Sequence, residues 1–406
     1  MSQTKDIANS YRWVILGVLW ITYIVVFLNR LSVGPLAPFF KEDLGASSAQ
    51  VGLIMSAASL GYMITLFPTG WVVDRIGARW PMVIGELVAG TAMIVLFFAP
   101  SYAWLLVFMF VTGIGCGCLM PSTTQSVIVW FPAKERATVM GLKQTAVNIG
   151  GIITAATLPA VALTLGWRYG FLFLGIIAIT IAVIAFILYK EPIRPASPST
   201  DPAASTASEP LFRLLKERNI WLVAFCGLCL SWVEFTIVAH LVLYLTEVLF
   251  FTVVTAGGLL ALTQAAGAVA RPGGGLLSDR VFGGSRKPIF LLMAGTTCAM
   301  CLLLGLFGSH LSWVLYPVLF LLGLGGIGFG GIFLTLMSEF GGRYGAGKAA
   351  GLGGTVAIVG IVLGPVVFGH IVDTSGSYEL AWLSSAFMAA LCIVLLLFLK
   401  EEKKKI

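Results

Sequence analysis

Long apolar runs, broken only by short charged turns, constrain this chain more than any other feature. The runs fall roughly at residues 11–38, 47–73, 79–99, 101–130, 135–163, 168–190, 219–245, 251–279, 287–307, 311–338, 345–372 and 378–399. Nearly all approach or exceed the ~20 residues needed to cross hydrocarbon. Inside lipid the backbone must bond to itself, so runs of this kind predict helices. Charged residues make up 11% of the chain and hydrophobic residues 58%, where a soluble domain carries roughly 25% charged. Most of the surface must therefore face lipid. Residues 1–10 are polar and the first run continues into the fold, so no cleavable leader is expected.

One turn is written twice. After the second run stands Gly70-Trp-Val-Val-Asp74-Arg75-Ile-Gly77-Ala-Arg79. A relative returns half a chain later as Gly275-Leu-Leu-Ser-Asp279-Arg280-Val-Phe-Gly-Gly-Ser-Arg286-Lys287. Setting Asp74 on Asp279 aligns Gly52 with Gly257 and Glu42 with Glu247 without gaps, and Phe131–Leu142 is similar to Phe340–Leu352. The repeat predicts two tandem bundles, 1–190 and 219–406, joined by a linker at 191–218. The linker opens rich in Pro, Ser and Ala, a flexible composition, and Leu211–Arg218 is expected to lie as a short helix on the membrane surface.

Charge fixes the expected orientation through the positive-inside rule. With both termini cytoplasmic, Arg12, Arg75, Arg79, Lys190, Lys216, Arg280, Arg286, Lys287, Lys348 and the tail Lys400, Lys403, Lys404 and Lys405 lie inside, and only Lys41 and Arg168 remain outside. This asymmetry accounts for the net charge of +7 and removes nucleic acid as a partner. Cys226-x-x-Cys229 and Cys298-x-x-Cys301 have redox spacing, but no histidine or further cysteine completes a ligand set, so they read as small packing residues. A GxGxxG match at Gly323–Gly328 follows no strand, so it carries no dinucleotide. Its glycines instead allow close helix approach. No cofactor or metal is expected.

The Gly70–Arg79 turn resembles the signature loop between the second and third helices of the major facilitator superfamily, and the Gly275–Lys287 turn sits where that family's weaker copy sits. The resemblance covers essentially the whole chain. It implies an all-α membrane protein of twelve transmembrane helices in two pseudo-symmetric six-helix bundles, a secondary transporter with its substrate site near the midplane where such halves meet.

Ionisable groups away from helix ends are costly in lipid and are expected to face the bundle interior. Arg30 stands eighteen residues past Arg12, about 27 Å of helical rise. Leu28-Asn-Arg30-Leu-Ser-Val-Gly-Pro-Leu-Ala-Pro38 is similar to the first helix of the anion:cation symporter branch, where an arginine meets the substrate's anionic group; snorkelling to headgroups is the alternative. Val269-Ala-Arg271-Pro-Gly-Gly-Gly-Leu276 is similar to the eighth helix of the monocarboxylate transporters, and bacterial oxalate and lactate carriers keep an arginine in that helix. The likeness makes Arg271 a carboxylate ligand, which suits a two-pronged guanidinium. Gln264 shares its face. The aspartate those transporters place one turn earlier is here Gly267, so proton coupling needs another group.

Glu234, mid-span in the seventh run, is the candidate proton carrier; the alternative is a fixed ion pair with Arg30 or Lys143. His240 and Tyr244 occupy the next face of that run and are taken as substrate contacts. Lys143, Gln144 and Asn148 are further substrate candidates, with snorkelling an equal alternative for Lys143. Glu86 is expected at the periphery, and Ser122–Gln125 as a polar lumen wall. Asp74, Arg75, Arg79, Glu135, Asp279 and Arg280 are expected to gate: Asp74 near a helix end of the other half, Arg75 and Arg79 paired with acids such as Glu135.

The charges select the function. Arg30, Arg271 and Lys143 within spans outnumber Glu86 and Glu234, which predicts a carrier for a small organic anion, a mono- or dicarboxylate, coupled to protons or another ion, working as a monomer in the cytoplasmic (inner) membrane. Anion exchange is an alternative on the same site. Proton-driven efflux of drugs or metabolites is another, but its Gly-x-x-x-Gly-Pro motif is missing from the fifth run and a partial copy, Gly360-x-x-x-Gly364-Pro365, stands in the eleventh. A receptor or scaffold on the same fold would want an appended signalling segment. An enzyme is not expected, because no nucleophile–base pair or metal cluster appears.

Overall fold

The computed structural model describes residues 2–191, 214–308, 314–342 and 345–400. Among these residues every regular element is a helix. Twelve helical spans are long and apolar enough to cross a membrane: Tyr11–Leu44, Ser48–Ile76, Arg79–Phe97, Tyr102–Trp130, Thr138–Leu165 and Trp167–Leu188, then Arg218–Glu247, Val253–Val281, Lys287–Phe307, Leu315–Gly341, Gly347–Ser375 and Tyr378–Leu397. They are called spans 1 to 12 below. The expected all-α, twelve-helix architecture is the one observed. Boundaries differ by a few residues, most at span 1, which continues to Leu44. Most of the expected linker, with the Leu211–Arg213 start of the surface helix, lies outside the described residues, as do Lys403–Lys405.

Compact units divide the chain as residues 1–46 with 53–194, and 47–52 with 195–406. Each unit has its own interior. In the first, span 1 packs on span 5, span 3 on span 6, and span 3 on span 4. In the second, span 7 packs on span 11, span 9 on span 12, and span 9 on span 10. The same pairing scheme thus recurs, as the repeated turn implies.

Three spans are not single helices. Span 1 breaks just after Arg30, with Ser32 Oγ donating to the Asn29 carbonyl at 2.8 Å. Span 4 breaks at Cys118, between Tyr102–Gly117 and Leu119–Trp130. Span 10 breaks between Leu315–Gly326 and Gly330–Gly341. Non-helical backbone at membrane depth is tolerated where protein or a cavity surrounds it.

Small residues set the helix spacing. A Cβ added to Gly113 of span 4 would sit 2.0 Å from the Ala58 carbonyl oxygen, and one on Gly61 of span 2 would sit 2.1 Å from that of Phe110. In the second unit Gly323 meets the Thr263 carbonyl in the same way, at 2.2 Å. Backbones this close gain dispersion contacts that lipid tails do not supply. Gly113→Val is therefore expected to lower the melting temperature sharply or abolish monodisperse protein, since overpacking costs roughly 1–3 kcal/mol or more. Gly70→Ala, with nothing within 4 Å, serves as the neutral control in the same detergent-solution melt.

Candidate functional site

The first unit gathers two cations. Arg30 is 5% exposed and Lys143 2%, so neither snorkels. Arg30 Nη2 donates to Ser59 Oγ at 3.4 Å, and its guanidinium lies over the Tyr62 ring at 4.2 Å. Lys143 Nζ donates to Thr124 Oγ1 at 3.1 Å and Thr123 Oγ1 at 3.2 Å, and sits 4.6 Å from the centre of the Tyr23 ring. The Tyr23 and Tyr62 side chains lie beside one another, so a tyrosine pair stands between the two cations. Spans 1, 2, 4 and 5 each supply a part.

Magnitudes show what this arrangement leaves undone. Hydrogen bonds to a charged group contribute about 1.5–3 kcal/mol each, and a desolvated cation–π contact about 2 kcal/mol. Together they offset the several kcal/mol of burying an ammonium. They do not cancel its charge: both hydroxyls and the ring are neutral, and among the described residues no carboxylate forms an ion pair with Lys143. Nearby, Asn148 is buried and Gln144 half-buried.

Charge is arranged differently in the second unit. Arg271 Nη2 lies 3.1 Å from Glu234 Oε1. Within its own unit Glu234 thus forms an ion pair with Arg271 of the next span. The break in span 10 positions the arginine, whose Nε lies 3.4 Å from the Ile327 carbonyl. Gly330 and Gly331 leave room beside it, since a Cβ on Gly330 would meet the guanidinium carbon at 3.7 Å. Gln264, two turns earlier on span 8, is 3% exposed.

His240 and Tyr244, expected to touch substrate, are packing groups in this structure. They are 0% and 1% exposed. His240 Nε2 is 2.8 Å from the Pro365 carbonyl and its ring stacks on Phe368 at 5.0 Å. Tyr244 packs edge-on against Trp382 at 5.5 Å. The geometric reason lies in span 7 itself, which turns Glu234 toward span 8 and the histidine toward span 11.

Glu86 is also placed differently from expectation. It is 1% exposed, inside the first unit and not at its periphery.

The hinge contacts need correction too. Glu135 pairs with Arg12 at 3.1 Å, because span 1 runs alongside the helix that Glu135 begins. Arg75 instead lies over Trp71 at 3.6 Å, and Arg79 donates to the Phe186 carbonyl at 2.6 Å. Glu191, just past span 6, accepts from the Ala78 N–H at 2.8 Å. It thereby ties down the turn at Gly77, whose φ of +90° suits glycine. Asp74 and Arg280 are exposed, and Asp279 holds Arg286 at 2.6 Å.

Tyr23, Tyr62 and Ser59 were not anticipated. A tyrosine within an apolar span needs a partner for its hydroxyl, and that is the signal that marks Tyr23 and Tyr62. Ser59 had none.

Residues 19–357 match the family model described as Major Facilitator Superfamily. The chain belongs to that superfamily. Curated relatives include the Probable sulfoacetate transporter of Cupriavidus necator, 28% identical over 96% of this chain and 94% of that one. The Hexuronate transporter of Bacillus subtilis is 25% identical, covering 91% and 90%. The Probable galactarate/D-glucarate transporter of the same organism is 24% identical, covering 96% and 92%. Among solved structures, a bacterial homolog of the human lysosomal transporter Spinster, in an inward-facing and unoccupied conformation, shares the fold. Its TM-score is 0.79 at 18% identity, covering 96% and 95%. This major facilitator protein is an integral, multi-pass membrane transporter and not an enzyme.

The Arg271–Glu234 pair generates a stability test. Glu234→Ala and Arg271→Ala are each expected to lower the melting temperature by stranding a half-buried charge. The double variant should recover part of the loss. A coupling energy of about 0.5–3 kcal/mol in the double-mutant cycle would fit a working pair, and strict additivity would contradict one.

Proposed function

We propose that this transporter carries a small organic anion across the cytoplasmic membrane by alternating access, in symport with protons. The observation that carries the reading is the charge state of the first unit's cluster: Lys143 is held by two hydroxyls and a tyrosine face, and a tyrosine pair stands between it and Arg30. An anion about 4 Å from such a cation gains roughly 4 kcal/mol at an effective dielectric of about 20. Two cations so placed suit an acid with two anionic ends, such as a dicarboxylate or a carboxylate bearing a second acidic group. The relatives named for sulfoacetate, hexuronate and galactarate or D-glucarate support an acidic substrate.

Arg271 adds a means of coupling. A substrate carboxylate that engaged Arg271 would displace Glu234, and the released carboxylate would take a proton. Gln264, Gln144 and Asn148 would bond the substrate's polar groups. The hinge residues Asp74, Arg75, Arg79, Glu135, Asp279 and Arg280 would break and remake contacts as the carrier changes state, with both termini in the cytoplasm and the protein working as a monomer.

Uptake into proteoliposomes tests this. Labelled lactate, oxalate, sulfoacetate, glucuronate and glucarate would be offered with and without an inward proton gradient. At least one is expected to accumulate with the gradient. Arg30→Ala and Lys143→Ala should each reduce that uptake by about tenfold to a thousandfold, the range set by a lost interaction of a few kcal/mol. Uptake that ignores the gradient and needs internal anion would instead establish exchange. Normal uptake in both variants would remove the anion site from this cluster.

A further inference from the structure

Glu86 of span 3 has no part in the reading above, yet it is the most deeply buried carboxyl in the first unit among the described residues. Both of its oxygens are buried without a hydrogen-bond partner. An ionised carboxylate left so would cost far more than a neutral one, which favours the protonated side chain. It cannot easily swing away. At its own level the backbones of spans 3 and 4 touch: a Cβ on Gly85 would sit 2.7 Å from both the Gly115 carbonyl oxygen and the Cys118 Cβ.

The second unit shows that the fold does not require a carboxyl here. A Cβ on Gly115 would meet the Gly85 oxygen and the Ala89 nitrogen, each at 2.5 Å, and a Cβ on Gly325 would meet the Met293 oxygen at 2.5 Å and the Thr297 nitrogen at 3.1 Å. These are the same helix crossing, span 3 on 4 and span 9 on 10. The crossing matches Gly85 to Met293 and Ala89 to Thr297, so the position of Glu86 is taken by Ala294, itself 0% exposed. An alanine fills the place where the first unit keeps an acid.

The surroundings lead from Glu86 toward the anion cluster. From span 4, Cys116 is the titratable group on which Glu86 acts, and Cys118 lies against Gly85. Span 6 presents Gly175, Ala178 and Ile179 near Gly90, with no titratable group among them. From span 1, Arg30 also acts on Cys116, the Cys116 thiol donates to the Val26 carbonyl at 3.9 Å, and Asn29 lies beside it. Asn29 is 0% exposed. Its amide oxygen and nitrogen lack partners, and so does the buried Thr22 hydroxyl. Buried polar atoms of this kind are normally satisfied by ordered water. Cys116 is thus a polar group that feels the charge of both Glu86 and Arg30.

We propose that Glu86 is a proton-carrying site of the transport cycle, loaded in the conformation seen here and exchanging its proton with water on the side of Asn29 and Cys116. It is distinct from Glu234 and lies in the other unit. Only the transport arm of its test rests on the anion-carrier reading.

Infrared difference spectroscopy of the full-length protein in liposomes decides the first part without any substrate. The wild type is expected to show the carbonyl stretch of a protonated carboxyl at neutral pH. That band should shift in D2O and be missing in Glu86→Gln. No such band, an identical band in the variant, or a band that never shifts in D2O would each overturn the proposal. Glu86→Ala, which copies Ala294, replaces the glutamine variant if that one fails to fold.

In the transport arm the probe is sulfoacetate, with glucarate as the second probe. Glu86→Gln, held permanently neutral, is expected to keep counterflow while gradient-driven accumulation falls by about tenfold, within the usual range of coupling between sites. A purely structural glutamate would leave the ratio of the two unchanged, and that result would overturn the proposal. If the wild type transports none of the acids, the anion reading fails, and the infrared result alone decides whether Glu86 carries an exchangeable proton.

Discussion

Lipid offers no hydrogen-bond partner, and the rest of this structure follows from that constraint. Backbone groups close on themselves, which makes each span a helix. Polar side chains close on each other, which draws them inside the units. Helices must then be held together without a hydrophobic drive between them, and glycine supplies the contact, as where Gly61 and Gly113 lay span 2 against span 4. The interior that results is narrow enough for a few side chains to control its charge.

Four ionisable groups meet this constraint in two ways. Arg271 and Glu234 neutralise each other. Lys143 and Arg30 rest on hydroxyls and tyrosine faces, neutral groups that stabilise a cation. In the second unit Arg271 has a carboxylate beside it, whereas among the described residues no carboxylate forms an ion pair with Lys143. The two units share one packing scheme but divide the chemistry.

The charged turns obey a related logic at the ends of the spans. Gly77 lets the chain reverse, Glu191 caps the N–H of Ala78, and Arg79 reaches the end of span 6. Here water is available, so pairs such as Arg12–Glu135 contribute at most about 1 kcal/mol. Their arrangement can change at small cost, as a moving part requires.

Much of the architecture was legible from residue order alone. Run lengths set twelve helices, the doubled Asp-Arg turn set two halves, and the scarcity of charge singled out Arg30, Lys143, Arg271, Glu234 and Glu86. The run Ser122–Gln125 stood out as a polar patch, and two of its threonines hold Lys143. What a one-dimensional reading could not supply was rotation and partnership. That Glu234 meets Arg271 is set by the crossing of span 7 on span 8. Glu135 meets Arg12 because span 1 lies beside it. Glu86 is interior, not peripheral, because Gly85 and Gly115 bring their helices into contact around it. Hydrophobicity and period depend on neighbours along the chain and are written in it. Which charge faces which depends on how separate helices cross, and tertiary packing alone decides that.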